Sequence, residues 1–377
     1  MDASIPVAPA EESRALTGLR GLAALIVVAF HIKLHLRHES DLPLLQWLTH
    51  KGYLGVDLFF VLSGFVMAMT YGGWFDRSRF GGLLAYVRFM VRRIARLWPL
   101  HATMVCAFLL LGLLTSAVPY SRNTIGANLL LVQAWGLSAA INPPAWSIST
   151  EMFAYAAFPL LVGAALKGRT PAALTAAGIA IGYWAVTHGG PPIGPGRRGP
   201  LDAYFNYSWL PVLRCVAGFT LGMLAWRLTR KATVLRIARH PSTAPCALAA
   251  ILALMVTGAD DLWVVAILPA LVIATHLGRG LFYKALGYGP LHRLGLLSYA
   301  VYLLHLFLFD RFRFSPIPTG PELAAYLVVM LAAAAAAHAL IEVPGRHLVR
   351  HWGERMASRL SPRLTPGTAR PLHGPPR

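Results

Sequence analysis

Leu16 to His35 reads LTGLRGLAALIVVAFHIKLH. A helix rising 1.5 Å per residue crosses the hydrocarbon core of a bilayer in about 20 mostly apolar residues, and this stretch has that length and character. The residues before it include Asp2, Glu11 and Glu12, so the positive leading region of a secretory signal is missing and the stretch reads as a retained helix. Its composition is that of the whole chain. Of 377 residues, 56% are hydrophobic and 13% charged, with a mean hydropathy of +0.56. A water-soluble domain carries about twice that charged fraction, so an ordinary soluble enzyme is excluded.

Working outward from 16–35, comparable apolar runs fall at 53–70, 99–118, 146–166, 171–187, 207–226, 244–259, 262–277, 295–310 and 322–343. The expected fold is therefore an all-α membrane protein, a polytopic bundle of about ten transmembrane helices. Residues 1–15 read as a cytoplasmic N-terminal tail, 16–346 as the membrane domain, and 347–377 as a basic, disordered cytoplasmic tail. Thr124 to Ala140 (TIGANLLLVQAWGLSAA) is apolar too and could be an eleventh crossing.

Charge decides between the two counts. The chain has 34 Lys plus Arg against 15 Asp plus Glu, a net +19. In a soluble protein this excess would suggest nucleic acid; in a membrane chain it tests the enrichment of Lys and Arg in cytoplasmic loops. With ten crossings and a cytoplasmic N-terminus, 25 basic residues fall inside and 8 outside, and Arg214 lies within a span. An eleventh crossing at Thr124 to Ala140 would invert every later loop, so both termini are expected to be cytoplasmic and no nucleic-acid partner is expected. Cys106, Cys215 and Cys246 are spaced for neither a disulfide framework nor a metal site.

Ionisable side chains within spans are costly unless paired or solvated, which makes each one a candidate for function. In the first span, Arg20 and His31 are eleven residues apart, about three turns and 16 Å along one helix face. A neutral imidazole can take a proton from a hydroxyl near pH 7, so His31 is a candidate base; an interfacial Arg and a packing His are the plainer account. In GYLGVDLFFVLSGFVM (Gly52–Met67), Asp57 and Ser63 interrupt an aromatic span, with Asp57 either carrying a proton or pairing with an arginine of another span. In RFMVRRIARLWPLH (Arg88–His101), Arg88, Arg92 and Arg96 share a face with Arg93 beside them. They suit either anionic lipid at the interface or a phosphate-bearing ligand.

NPPAWSISTEMFAY (Asn142–Tyr155) places Ser147 and Glu151 at i, i+4, with Trp146 as a candidate belt residue at the outer interface. In GLLSYAVYLLH (Gly295–His305), Ser298, Tyr302 and His305 form a polar stripe beside Tyr299. Glu342 and Arg346, at i, i+4, read as a local ion pair at the inner interface.

Together and in this order, these segments resemble the acyltransferase-3 family of integral membrane O-acyltransferases. Arg20 and His31 match its Arg-x10-His pattern, GVDLFFVLSGFV its second-helix signature, and RRIARLWP its Arg-x-x-Arg loop. PPAWSISTE matches the Trp-Ser-x-x-x-Glu segment and LSYAVYLLH the late Ser-Tyr-x-x-Tyr-Leu-x-His motif. The resemblance implies a bacterial inner-membrane enzyme with no bound cofactor or metal. Its partners would be an acyl-CoA donor, most often acetyl-CoA, membrane lipid, and a hydroxyl acceptor such as a surface polysaccharide or its lipid-linked precursor. It implies CoA phosphates near Arg92, Arg93 and Arg96, with His31 as base or transient acyl carrier and Arg20 orienting the donor. Glu151 and Ser147 would position the acceptor or His31. Asp57, Ser63, Trp146, Ser298, Tyr299, Tyr302 and His305 would contact the acceptor or serve structure. A proton-coupled transporter or flippase, relaying protons through Asp57, Glu151 and His31, is the main rival.

Overall fold

Runs of apolar residues too long for a strand have only one way to satisfy every backbone N–H and C=O inside lipid, which is to coil. A computed structural model describes residues 13–36, 51–75, 79–115, 120–167, 172–188, 199–202, 207–312, 314 and 319–364, and among these all regular structure is helical. The first elements are α1 (Arg14–Leu36), α2 (Gly55–Tyr71), α3 (Arg79–Leu114), α4 (Arg122–Leu129) and α5 (Ala145–Ala156). They are followed by α6 (Phe158–Val162), α7 (Ala172–His188), α8 (Leu210–Leu228), α9 (Ala232–Ala238) and α10 (Thr243–Val256). The last are α11 (Asp261–Leu277), α12 (Leu281–Leu286), α13 (Gly289–Phe309), α14 (Gly320–Ala337) and α15 (Val343–Leu364), the final two joined by a π turn. The expected tail segments 1–12 and 365–377, and Arg37, Arg197, Arg198 and Arg313, lie outside the described residues.

Among the described residues, five helices are long and apolar enough to cross a membrane, and up to seven segments qualify if each of two bent pairs is one span. Helix length and composition thus give a polytopic membrane bundle but not the expected ten crossings. α10 and α11 are apolar but shorter, and α5 ends at Ala156, where the chain bends by 64° into α6.

Two expectations are corrected at the basic ends. The arginine run and the third apolar segment are one continuous helix, α3, which runs through Pro99. And residues 347–364 are helical, continuing α15, rather than irregular. The same packing accounts for both. α15 lies antiparallel on α3, with Gly345 against Pro99 and Gly353 against Val91, while Arg350 Nε donates to Glu354 one turn on at 2.8 Å. A helix with that many charges is held by its docked face.

Close contacts also give the direction of each helix. α1 and α13 run the same way, since Thr17 meets Gly295 at one end and His31 meets His305 at the other. α3 joins them, with Arg96 over Tyr299 and Phe108 against Phe307. The opposite direction is taken by α2, α5, α8 and α11. Phe60 and Ser63 of α2 meet Trp146 and Tyr155 of α5, Asp57 and Phe65 meet Arg214 and Trp226 of α8, and Phe65 meets His276 of α11. Because α3 and α5 are opposed, the connection from 115 to 144 starts and finishes at one end of the bundle. Thr124 to Ala140 holds most of the eight-residue α4 and a five-residue π turn, and makes no net crossing of the bundle.

Glycines set the tightest of these contacts. A Cβ at Gly64 would overlap the carbonyl of Phe219, and one at Gly222 the carbonyl of Val61, so α2 and α8 meet backbone to backbone. Gly64→Ala is expected to lower the thermal midpoint of the detergent-solubilised protein, at about 1–3 kcal/mol for an overpacked contact. Gly112→Ala, where a Cβ meets only open space, should leave it unchanged, and equal midpoints for the two variants would refute this account of the interface.

Candidate active site

A cavity of about 560 Å3 lies among α1, α2, α3, α5 and α13 and reaches the start of α15. Nine residues singled out from the sequence line it: Arg20, Ser63, Arg93, Arg96, Ser147, Glu151, Ser298, Tyr299 and Tyr302. They come from five helices that are far apart in the chain. Phe59, Phe60, Met67 and Tyr71 complete the α2 wall, and Tyr155 and Arg346 add polar groups that the sequence reading did not assign to a site.

One end of the cavity is cationic. Arg93 donates through Nη2 to Tyr71 OH at 2.8 Å, with its guanidinium 4.9 Å from the Tyr71 ring centre. Arg96 lies 5.4 Å from the Tyr299 ring centre and pairs with the fully buried carboxylate of Glu342. Arg346 donates to the same Glu342 oxygen at 2.5 Å, and His338 Nδ1 lies 3.0 Å from the other. Glu342 and Arg346 are therefore more than a local pair, because Glu342 ties α15 to α3 and Arg346 faces the cavity. The buried Nε atoms of Arg93 and Arg346 have no hydrogen-bond acceptor among the described residues.

The other wall carries a carboxylate among hydroxyls. Ser63 Oγ and Tyr155 OH both donate to Glu151 Oε1, the latter at 2.5 Å, and the two hydroxyls are 3.1 Å apart. One helical turn back, Ser147 Oγ meets Tyr302 OH at 2.7 Å, joining α5 to α13. Ser298 Oγ donates to its own helix at Gly295 O, 2.8 Å away, and Tyr299 OH to Leu97 O at 2.5 Å.

The remaining expected residues lie off this cavity. His31 faces His305, with His305 Nε2 3.2 Å from His31 Nδ1 and ring centres 4.9 Å apart. Tyr302, which lines the cavity, lies 5.9 Å from the His305 ring, so it stands at the boundary between the cavity and the histidine pair. Asp57 does not reach the cavity. It is bound by Arg214 of α8, through Nε to Oδ1 at 3.0 Å and Nη2 to Oδ2 at 2.6 Å, which selects the ion pair over a proton carrier. Trp146 is half-buried and packs edge-on against Phe60, with the Arg214 guanidinium 5.6 Å from its ring centre.

Arg92 is also displaced from the expected anion cluster. Its guanidinium lies 4.9 Å from the Trp74 ring centre and 3.7 Å from Glu354 of α15. Successive helix positions differ by about 100°, so the side chain beside Arg93 points at a different neighbour.

The geometry can do three things chemically: hold an anion at the arginine end, orient a polar group against Glu151 and its hydroxyls, and accept a proton at the histidine pair. The profile of the acyltransferase-3 family, described as an acyltransferase domain, matches residues 13–339. Acyltransferase MdmB of Streptomyces mycarofaciens is 30% identical over 375 residues, covering 89% of this chain and 92% of its own. O-acetyltransferase OatA of Staphylococcus aureus is 29% identical over 160 residues, 39% of this chain and 24% of that protein. Protein 2 in the picA locus of Rhizobium radiobacter is 29% identical over 160 residues, 34% of this chain and 77% of its own. No solved structure matches the chain.

Proposed function

Because this chain belongs to the acyltransferase-3 family, we propose that it transfers an acyl group from a cytoplasmic acyl-CoA to a hydroxyl of a carbohydrate acceptor at the bacterial inner membrane. A surface polysaccharide or its lipid-linked precursor is the acceptor proposed. The staphylococcal relative is an O-acetyltransferase by name, which favours acetyl as the group and oxygen as its destination. One observation carries the donor assignment: Arg20, Arg93, Arg96 and Arg346 converge on a single cavity. Guanidinium groups bind phosphate oxygens bidentately, and an acyl-CoA brings phosphates at one end of a long flexible arm and the thioester at the other.

The donor's phosphates meet the arginines, and its arm extends past Ser298 and Tyr299 toward Tyr302. Glu151, held by Ser63 and Tyr155, orients the acceptor. His31 takes the proton of the acceptor hydroxyl as the oxygen attacks the thioester carbonyl; the carbon–sulfur bond breaks and the departing thiolate recovers that proton. Tyr302 has to turn aside for the thioester to reach His31.

The membrane reading extends to ten crossings with both termini cytoplasmic. Its support is that α1, α3 and α13 run opposite to α2, α5, α8, α11 and α15, the alternation ten crossings require. The overhanging ends of α3 and α15 then project together into the cytoplasm beside the donor entrance.

The test is acceptor-dependent thiol release from acetyl-CoA by the purified protein. Turnover is expected, whereas a transporter or flippase releases no thiol. Arg93→Gln should raise the KM for acetyl-CoA about 10-fold or more, the weight of one charge-assisted hydrogen bond. Arg92→Gln should leave that KM within about twofold, since Arg92 lies outside the cavity. Equal effects, or a larger one at Arg92, would return the arginines to a lipid-binding role.

A further inference from the structure

Two histidines on different helices seldom meet in a membrane bundle without cause, and here the fold holds them to a single arrangement. α1 and α13 run side by side in the same direction, and glycines bring their backbones into contact. A Cβ at Gly21 would overlap the backbone nitrogen of Gly295, and one at Gly295 the carbonyl of Thr17. That contact sets the register which brings His31 Nδ1 and His305 Nε2 to 3.2 Å, ring planes 49° apart.

Each ring is also held by its own helix. His31 Nδ1 lies 2.9 Å from Val27 O, and His305 Nδ1 lies 2.8 Å from Tyr302 O. A carbonyl oxygen only accepts, so both Nδ1 atoms carry a proton in the neutral rings. His305 Nε2 then carries a lone pair, and it is directed at the His31 Nδ1–H. The same constraint puts the His31 lone pair on Nε2.

We propose that His305 is a positioning residue for His31: together with Val27 O it holds the tautomer whose Nε2 takes the acceptor's proton, and it accepts a hydrogen bond from the imidazolium that results. The proposal rests on His31 acting as the base or acyl carrier. In the resting enzyme the His31 Nδ1–H is shared between Val27 O and His305 Nε2. Once Nε2 gains the acceptor's proton, the bond to His305 becomes charge-assisted and shortens. A neutral imidazole supports the cation without a second buried charge, whose desolvation a carboxylate at that position would add. When the thiolate takes that proton, His31 returns to its starting tautomer, His305 has kept its own throughout, and the pair has no net change in protons. His305 is 1% exposed, and Tyr326 OH of α14 donates to its carbonyl at 2.8 Å, so its backbone is anchored independently of His31.

The test compares His305→Ala, His305→Gln and His31→Ala in the full chain, by steady-state thiol release with both substrates varied. His305→Ala should lower kcat about 10- to 100-fold, the weight of a hydrogen bond to a charged group, with both KM values within about threefold of the parent. His305→Gln, whose Oε1 can accept from the His31 Nδ1–H, should recover at least about tenfold of that loss. A residue needed only for packing would give no such split and no such recovery. Parental kcat in His305→Ala beside an inactive His31→Ala would overturn the positioning role and leave His31 standing. Equal damage in the Ala and Gln variants at normal thermal midpoints would also overturn it. Turnover retained by His31→Ala would instead remove the reading of His31 on which the proposal rests.

Discussion

His31→Ala should lose acyl transfer by about 100- to 10,000-fold, the usual share of a positioned general base, in a protein that folds and inserts like the parent. The size of the effect follows from chemistry. A sugar hydroxyl is a poor nucleophile until its proton is taken, and among the described residues the cavity's Glu151 is already engaged by Ser63 and Tyr155. His31 is half-buried, and its Nδ1 faces Val27 O and His305 Nε2, an arrangement that puts the ring's basic lone pair on Nε2. His31→Gln keeps a polar side chain but cannot carry the proton, and should be as inactive as the alanine variant. Thiol release and mass spectrometry of the acceptor measure the loss directly. Turnover within tenfold of the parent, at equal amounts of folded protein, would remove His31 from the chemistry. Incubation with donor alone, then acid quench and peptide mass analysis, distinguishes the two routes: an acyl mass on the His31 peptide marks a carrier, and its absence marks direct attack.

How much of this could be read before the fold was known depends on the kind of signal. Hydropathy over about 20 residues reports helices reliably because lipid leaves the backbone no alternative. Polar residues inside such runs report the site, because their desolvation must be recovered somewhere. Arg20, Glu151, Ser147 and Tyr302 were all found by that rule, and all line the cavity. The rule does not say what each polar group faces. Arg92 and Arg93 are indistinguishable as letters, yet the rotation of α3 sends one to Trp74 and the other to Tyr71. Arg20 and His31 do share a helix face, but the tyrosine that α13 supplies between His31 and the cavity cannot be counted from α1. Arg346 reads as a local partner of Glu342 until α15 packs on α3 and Arg96 joins them. The charged stretch after 346 looks too polar to order itself, and what orders it is the groove on α3 opposite Gly353.

The buried pair of Asp57 and Arg214 shows the same limit most plainly, and it yields the largest expected effect on stability. The two are 157 residues apart and both buried, Arg214 at 2% exposure and Asp57 at 0%. The guanidinium meets the carboxylate in a two-pronged bond and gives its remaining Nη1 to Leu201 O at 2.7 Å. Leu201 N in turn donates to Asp261 at 2.9 Å, and Asp261 also holds Lys51 at 2.8 Å and Tyr53 at 3.0 Å. One short stretch, 199–202, is thereby fastened to α8 and α11, and through Arg214 to Asp57 of α2. Asp57→Ala or Arg214→Leu leaves a single charge buried in the bundle, and breaking a buried pair from one side costs about 3–5 kcal/mol. The expected result is a thermal midpoint in detergent lowered by many degrees and a smaller monodisperse fraction. Arg214→Lys should fall with them, because an ammonium cannot make the two-pronged bond and reach Leu201 O together. The double replacement Asp57→Leu with Arg214→Leu removes both charges and should be more stable than either single variant, since an apolar pair of similar volume replaces a buried ion pair at little cost. Additive losses in the double variant would show that the two charges do not depend on each other. Single variants with parental midpoints but lost turnover would move Asp57 from the scaffold into the chemistry, against its position outside the cavity.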